Sequence, residues 1–287
     1  MRDIIKTYYR LTKPGIIYGN GLAAIGGFLL ASKGQFDVLL FAAMLAGSSL
    51  VIASGCVFNN YLDREIDAHM ARTRKRALVS GRVSGRSALI YAAVLGLIGF
   101  AVLARYTNWL TVAIGLTGIF FYVIVYGFAK RHSVHGTLVG TISGATPPVA
   151  GYCAVTGRLD LGALLLFLIL VFWQMPHFYA IAIYRSKDYA AAKLPVMPVV
   201  KGLLATKIQM LAYVIGFMLA TALLTSFGYT GYVYLAVMML VGFVWLRYSL
   251  QGFSTTDSTL WARKTFKYSL IALLVFCLMI SVDHALA

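Results

Sequence analysis

Long apolar stretches recur from one end of the sequence to the other, near 14–33, 38–61, 86–104, 108–128, 134–156, 161–184, 204–227, 229–249 and 266–285. Each has about the 20 residues that a helix needs to cross roughly 30 Å of hydrocarbon. Composition agrees, with 60% of residues hydrophobic and 12% charged, against about 25% charged in soluble domains. The expected fold is an all-α integral membrane protein of nine transmembrane helices. No linker, low-complexity run or shift in composition divides it, so one domain is expected over 1–287.

A net charge of +16 raises the question of nucleic acid, and the placement of the basic residues answers it. Four lie before the first span (Arg2, Lys6, Arg10, Lys13), seven around the second loop (Arg64, Arg72, Arg74, Lys75, Arg76, Arg82, Arg86) and two in the fourth (Lys130, Arg131). Five follow around the sixth loop (Arg185, Lys187, Lys193, Lys201, Lys207) and four around the eighth (Arg247, Arg263, Lys264, Lys267). Only Lys33, Arg105 and Arg158 fall on the other face. The positive-inside rule then puts the N-terminus and the even-numbered loops in the cytoplasm and the C-terminus outside. No nucleic-acid partner is needed. Residues 1–13 lack the apolar core and cleavage site of a signal peptide, and no Arg- and Ser-rich transit extension precedes the first span. A bacterial inner (plasma) membrane is the expected location. Cys56, Cys153 and Cys277 are odd in number, sit within apolar segments and show no Cys-x-x-Cys spacing, which reads as packing.

Among only nine acidic residues, Asp63, Glu65 and Asp67 crowd into five positions directly after the second apolar segment. If the helix continues through them, Asn59, Asp63 and Asp67 fall on one face at successive four-residue intervals. Like charges so spaced destabilise a bare helix by a few tenths of a kcal/mol, and a bound divalent cation would reverse that sign. Oxygen ligands without a nearby Cys or His suit Mg²⁺, which is usually held by one or two carboxylates together with substrate phosphates. Arg72, Arg74, Lys75 and Arg76 supply donors for the remaining phosphate oxygens. Acid, metal and base together describe a diphosphate site. A solvated loop whose acids pair with neighbouring bases is the plainer alternative; it explains the bases but not the one-face spacing.

The sixth segment ends on a second polar face, Tyr184 and Asp188 at four-residue spacing, followed by Tyr189, Lys193 and Pro195. Alone this is as well read as an interfacial tyrosine belt; opposite the first cluster it becomes a second set of metal-side ligands. Four helices separate the two long polar loops, so a weak parallel internal repeat is expected. His177 stands about seven residues inside that end, either a hydrogen-bonded core histidine or a residue that meets a ligand in the bundle interior. His132 and His135 lie at a loop, and His69 and His284 read as interfacial. Gly136, Gly140 and Gly144 suggest close helix packing, and Pro147-Pro148 should break the fifth helix where it lines a cavity.

The run Asn59-Asn60-x-x-Asp63-x-x-x-Asp67, continued by Arg72-Thr73 and Arg76-Ala77-Leu78, resembles the first aspartate-rich motif of the UbiA superfamily of intramembrane prenyltransferases. Thr12-Lys13-Pro14-Gly15-Ile16-Ile17, Lys130-Arg131-His132-Ser133, Gly144 through Tyr152, Trp173-Gln174-Met175-Pro176-His177-Phe178, and Lys187-Asp188-Tyr189 leading into Leu194 through Val200 are similar to its haem-farnesylating branch. The resemblance spans nearly the whole chain. One departure from the wider superfamily is Tyr184, where the second motif often carries Asp.

That resemblance implies helices around a central cavity and transfer of farnesyl from farnesyl diphosphate to the vinyl group of haem B, with Mg²⁺ as cofactor. Metal ligands would be Asp63, Asp67, Asn59 and Asp188, with Tyr184 beside them. Asn60, Arg72, Arg76, Lys130 and Lys193 would hold the diphosphate, and His177 would contact the haem iron or a propionate. Some tyrosines and phenylalanines would face the allylic cation. The family's reaction ends with water captured at the vinyl carbon, and the sequence singles out no base for that water. Haem-copper oxidase or haem A synthase would lie downstream. Rival readings are a UbiA-type enzyme acting on an aromatic ring, which the Pro-His-Phe and Pro-Pro runs oppose, and an alcohol phosphotransferase, whose Asp-Gly-x-x-Ala-Arg signature is absent. A secondary transporter of an anion would need acidic charge at the midplane, where there is none.

Overall fold

The computed structural model describes residues 2–283; His284 and the C-terminal tip lie outside the described residues. In chain order the elements are α1 (Arg2–Leu11), α2 (Pro14–Ser32), α3 (Val38–Leu62), α4 (Arg64–Ala68), α5 (Gly85–Tyr106) and α6 (Trp109–Phe120). A π turn (Phe121–Val125) joins α6 to α7 (Tyr126–His132), followed by α8 (Gly136–Thr156), α9 (Leu161–Tyr184), α10 (Ser186–Ala191) and α11 (Met197–Val200). The chain continues through α12 (Gly202–Ser226), α13 (Tyr232–Gln251) and α14 (Ser258–Val282).

Counting α6, the π turn and α7 as one rod, nine long helices are present among the described residues. Eight are long and apolar enough to cross a membrane, which makes this a multi-pass membrane protein. The ninth, α8, carries Gly, Thr, Ser and a proline pair in place of large aliphatics. It can do so because protein rather than lipid surrounds it: Ala145 and Pro147 through Ala154 are all buried. The rod in α6–α7 reaches His132, four residues beyond the expected end. Helix α14 starts at Ser258 rather than near 266, where Trp261 and Ala262 are buried and Arg263 and Lys264 exposed.

The proline pair does not break its helix. Pro147 removes the N–H that would bond the Ser143 carbonyl, and the Thr146 hydroxyl donates to that oxygen instead at 2.8 Å. Glycine at the crossing lets α2 and α8 touch backbone to backbone: a Cβ on Gly27 would collide with the Pro148 carbonyl, and one on Gly151 with that of Ala24. Gly136, Gly140 and Gly144 similarly admit the Lys130 backbone, the Tyr126 ring and the Gln174 side chain.

Four of the nine acids serve helix N-termini. Asp37 accepts from Leu40 N at 2.9 Å, Asp160 from Ala163 N at 3.1 Å and Asp257 from Thr259 N at 2.9 Å. Asp283 takes Gly231 N and Tyr234 N at 2.6 and 3.1 Å. Each satisfies donors that a helix start leaves open. Asp63 and Asp67 have no such duty, and they stand where α2, α3, α6, α8, α9 and α14 enclose a cavity.

Gly27→Ala should destabilise the bundle by about 1–3 kcal/mol through overpacking against Pro148. Gly15→Ala, which meets open space, should be close to neutral. Thermal unfolding of the two variants in detergent compares them.

Candidate active site

The cavity holds about 540 Å³ and runs from the basic-loop face of the bundle into its apolar interior. At its rim α3 ends, and Asp63 caps it with φ −88° and ψ −2°. The helix is therefore not continuous through the acidic run. Backbone bonds from Asp63 N to Asn59 O (2.9 Å) and from Asp67 N to Asp63 O (2.8 Å) nonetheless carry helical spacing across the joint. Asn59, Asp63 and Asp67 all line the cavity, while Glu65 faces outward and pairs with Arg64 at 3.3 Å.

Cations from distant segments meet the two carboxylates. Lys130 Nζ lies 2.5 Å from both oxygens of Asp63, donating to Oδ2 and leaving Oδ1 without a directed donor. Arg131 approaches Asp63 at 3.7 Å and donates to the Leu62 carbonyl that ends α3, at 2.5 Å. Arg76 reaches Asp67 at 2.5 Å, and that carboxylate is only 2% exposed. Thr73 donates to the Asp67 carbonyl at 2.9 Å, folding the loop back over the site. Arg72 and Tyr189 complete the rim. Burial raises the Tyr189 hydroxyl pKa and the neighbouring Arg72 opposes that shift.

Lys13 is the residue the sequence reading missed here. Its Nζ donates to Asn59 Oδ1 at 2.7 Å, leaving Asn59 Nδ2 buried with no acceptor. Lys13 adopts φ 52° and ψ 66° immediately before Pro14, a left-handed conformation costly for a residue with a Cβ. The available signal was a lysine directly before the proline that opens the first apolar stretch. Tyr122 and Tyr126 were missed too. Their rings stack at 6.0 Å and 7°; the Tyr122 hydroxyl lies 3.4 Å from Asn59 Oδ1 and Lys130 sits 5.0 Å above the Tyr126 ring. The π turn that carries Tyr122 is a feature frequent at functional sites.

Several expected residues are not brought to this wall. Asn60 donates to the Leu11 carbonyl at 2.8 Å and accepts from Arg76 at 3.3 Å, so it ties α1 to α3. Arg74 and Lys75 face away as exposed residues. The second polar face is a correction. Arg185 ends α9 with φ −113° and ψ 15°, so Tyr184 and Asp188 no longer share a helix. Tyr184 packs on Phe266 beneath Arg185 and Arg263, and Asp188 pairs with Arg185 at 3.6 Å. Neither lines the cavity. Lys193 reverses the chain after α10 with φ 53°, and its side chain is exposed.

Deeper in, α9 presents Trp173, Gln174 and His177 to the cavity. The His177 ring stacks on Trp173 and packs at a tilt against Phe266, each at 4.8 Å, with Nδ1 2.8 Å from the Ser269 hydroxyl. His132 bonds only its own helix, and His135 starts α8 as an exposed residue. The three cysteines are free and buried; Cys56 lines the cavity beside Asn59.

A sequence model of the UbiA prenyltransferase family matches residues 21–271. The chain belongs to that family. It is 53% identical over 281 residues to the protoheme IX farnesyltransferase of Yersinia pseudotuberculosis serotype O:1b (strain IP 31758), covering 98% of this chain and 95% of that one. With its namesake from Serratia proteamaculans (strain 568) it shares 52% over 283 residues, at 98% and 96% coverage. Among solved structures, a UbiA homologue from Archaeoglobus fulgidus bound to GPP and Mg²⁺ superposes with a TM-score of 0.72 at 16% identity, over 96% of this chain and 100% of that one. Another from Aeropyrum pernix K1 gives 0.74 at 22% identity, over 94% and 98%. At those identities the likeness is one of fold.

Within this UbiA-family site, burial pulls the Lys13 pKa down to about 8; Arg76 and Lys130 act in the same direction, and Cys56 and Asp63 oppose it. The folded value lies below the unfolded one, so burying the charged ammonium costs stability below about pH 8, a cost relieved as pH rises towards the unfolded pKa. Its charge, and any help it gives an anion, disappears over the same rise. Pyrophosphate affinity of the parent should therefore be steady below about pH 8 and fall above it by up to about tenfold per pH unit more than in Lys13→Met. Isothermal titration of both proteins from neutral to alkaline pH measures the difference.

Proposed function

We propose that this UbiA-family protein transfers the farnesyl group of farnesyl diphosphate to the vinyl group of protohaem IX (haem B), releasing diphosphate and giving haem O. The observation that supports this most is one cavity with two chemically distinct ends: an ionic rim of Asp63, Asp67, Lys13, Arg72, Arg76 and Lys130, and an apolar interior closed by Trp173, Gln174 and His177. A prenyl diphosphate divides in the same way. The protoheme IX farnesyltransferases at 52–53% identity supply the acceptor.

The residues present fit Mg²⁺. Asp63 and Asp67 are oxygen donors on the wall, and Asp63 Oδ1 is buried without a directed partner. Among the described residues no three His, Cys, Asp or Glu side chains converge on such a site, so phosphate oxygens and water would complete the shell, as is usual for this ion. Asp63 and Asp67 would hold the metal, and Asn59 Oδ1 would join them only when Lys13 turns from it to the substrate. The bound ion would supply positive charge to the departing diphosphate.

This chain's own groups do the rest. Lys13, Arg72, Arg76 and Lys130 neutralise negative charge as the C–O bond ionises, and Asn59 Nδ2 is a buried donor for a phosphate oxygen. The stacked faces of Tyr122 and Tyr126 offer the allylic cation π-electron density. Aliphatic residues of α3 and α6, including Val51, Ile52, Ile114 and Ile119, keep water from it. Haem lies against the Trp173–His177 wall. Asn60, Tyr184, Asp188 and Lys193 act by holding the loops rather than by touching substrate. The setting is a bacterial inner membrane with the N-terminus and basic loops cytoplasmic, and haem A synthase or a haem-copper oxidase receives the product.

Asp63→Ala and Asp67→Ala should each lower haem farnesylation by about a hundredfold or more, and EDTA should do the same to the parent. Product mass from purified protein in detergent is the readout; alkylation of a phenolic ring but not of haem would pass the function to the aromatic-acceptor reading. For topology, reporters placed after Arg82 and after Arg158 should read cytoplasm and exterior respectively. The same side for both would remove the orientation.

A further inference from the structure

The far wall of the cavity carries two hydrogen-bond acceptors, on residues that are themselves mostly buried, whose orientation the structure fixes and which face the cavity with no donor among the described residues. The Ser269 hydroxyl has one proton, and it goes to the Phe266 carbonyl at 2.6 Å. In its 2.8 Å contact with His177, Ser269 is therefore the acceptor, and Nδ1 of the imidazole bears the hydrogen. No carboxylate accompanies this ring, which is only 8% exposed, so it is neutral and Nε2 presents a lone pair. Trp173 locks the arrangement by stacking on the ring and donating its indole N–H to the Ser269 carbonyl at 2.7 Å.

One turn back on α9, Gln174 is fixed in the same sense. Its amide nitrogen faces two carbonyls, of Thr141 at 3.1 Å and Leu170 at 3.0 Å. Both neighbours are acceptors, so the NH₂ must face them and Oε1 is the group left over. That oxygen lies over Gly144, the one residue type that leaves it room. Gln174 is 4% exposed, and no donor to Oε1 or to His177 Nε2 is present among the described residues. Residues three apart share a helix face, and both line the cavity.

Polar acceptors that line an apolar cavity and have no protein donor are satisfied by what the cavity holds. An iron or a propionate could engage His177 and would leave the Gln174 oxygen as it is. A water molecule, with two O–H groups, satisfies both acceptors and keeps its own lone pairs free. We propose that Gln174 Oε1 and His177 Nε2 hold the water that is added to the vinyl group, with His177 as its base and Gln174 as its positioning partner. The inference rests on the farnesyl-transfer reading and assigns the one chemical role that reading leaves without a residue.

The C1–O bond of farnesyl diphosphate breaks and its pair leaves with diphosphate. The vinyl π pair forms the new bond from the terminal vinyl carbon to C1, leaving the inner vinyl carbon, beside the porphyrin ring, positively charged. Water oxygen bonds to that carbon while its proton moves to His177 Nε2, and the O–H pair stays on oxygen. The imidazolium then gives the proton to bulk water that enters as the products leave. Without a held water the same cation loses a proton from the adjacent carbon, and the product is an alkene lighter by one water.

The test compares the parent with His177→Phe, which keeps a ring against Trp173, and with Gln174→Leu. Each purified protein is given farnesyl diphosphate, Mg²⁺ and haem in ¹⁸O-water, and the extracted haem is read by mass spectrometry. Parent product should carry the heavy oxygen. In His177→Phe the hydroxylated share of alkylated haem should fall about tenfold or more in favour of the dehydrated alkene, and in Gln174→Leu it should fall by a smaller factor. A hydroxylated share equal to the parent's in His177→Phe overturns the proposal. So does complete loss of haem alkylation with farnesyl diphosphate binding intact, because that places His177 in acceptor binding. Should His177→Phe also lose farnesyl diphosphate binding, Gln174→Leu decides alone: an unchanged hydroxylated share there sinks the pair. A parent that leaves haem unalkylated is a different result, the failure of the farnesyl-transfer reading itself.

Discussion

Two carboxylates at the end of a membrane helix must be neutralised, and the basic face of the bundle is organised around that requirement. Asp67 is nearly inaccessible and Asp63 little less so. Left without a partner, a buried charge of this kind costs about 3–5 kcal/mol, a large part of the stability of a typical domain. The compensating cations arrive from separate places: Arg76 from the loop after α4, Lys130 and Arg131 from the end of α7, and, one residue removed through Asn59, Lys13 from the junction of α1 and α2. Each ion pair therefore ties a loop or helix end to the acidic run, beside the apolar cluster of Leu11, Val57, Ala77 and Val83 that packs the same loop. Surface pairs such as Arg64–Glu65, worth at most about 1 kcal/mol, do no such work.

The same arrangement suits an anionic substrate. Cations already gathered around two carboxylates need only small shifts to serve a diphosphate, provided another positive charge takes their place on the acids. By that exchange the proposed all-oxygen metal site would share its residues with an intramolecular salt-bridge cluster. Asn59 shows the competition directly, since its oxygen is held by Lys13 while its amide N–H₂ waits buried for an acceptor.

What the sequence made legible follows from the physics that dominates at each place. Hydrocarbon imposes a length and a composition, so the spans were readable within a few residues except at the polar start of α14, and only α8, shielded by its neighbours, lacks the apolar character of the rest. The acidic run was readable because like charges on one helix face need a reason. The spacing of Tyr184 and Asp188 looked alike but misled: one residue, Arg185, leaves helical geometry between them, and local spacing says nothing about a break of that kind. The proline pair misled in the opposite direction, because a threonine hydroxyl repaired the bond that the first proline removed. Lys13 and Gln174 were invisible for a third reason. Their roles are set by partners 46 and 33 residues away, and no periodicity records such a distance.

The cavity also separates two demands that conflict. Ionising a C–O bond needs strong charge and tolerates no loose water, whereas ending the reaction on a hydroxyl requires one water at one carbon. Charge is confined to the rim, where lysine and arginine would hold any water too tightly and in many orientations. The opposite wall has neutral acceptors alone, with the histidine tautomer and the amide orientation both set by hydrogen bonds that face away from the cavity. A neutral acceptor pair binds water by geometry rather than by charge, so it would order a single molecule without attracting an anion to that wall. Placing the two functions on opposite walls, on α3 and α9, lets one enclosed space carry out an anhydrous ionisation and a hydration in sequence.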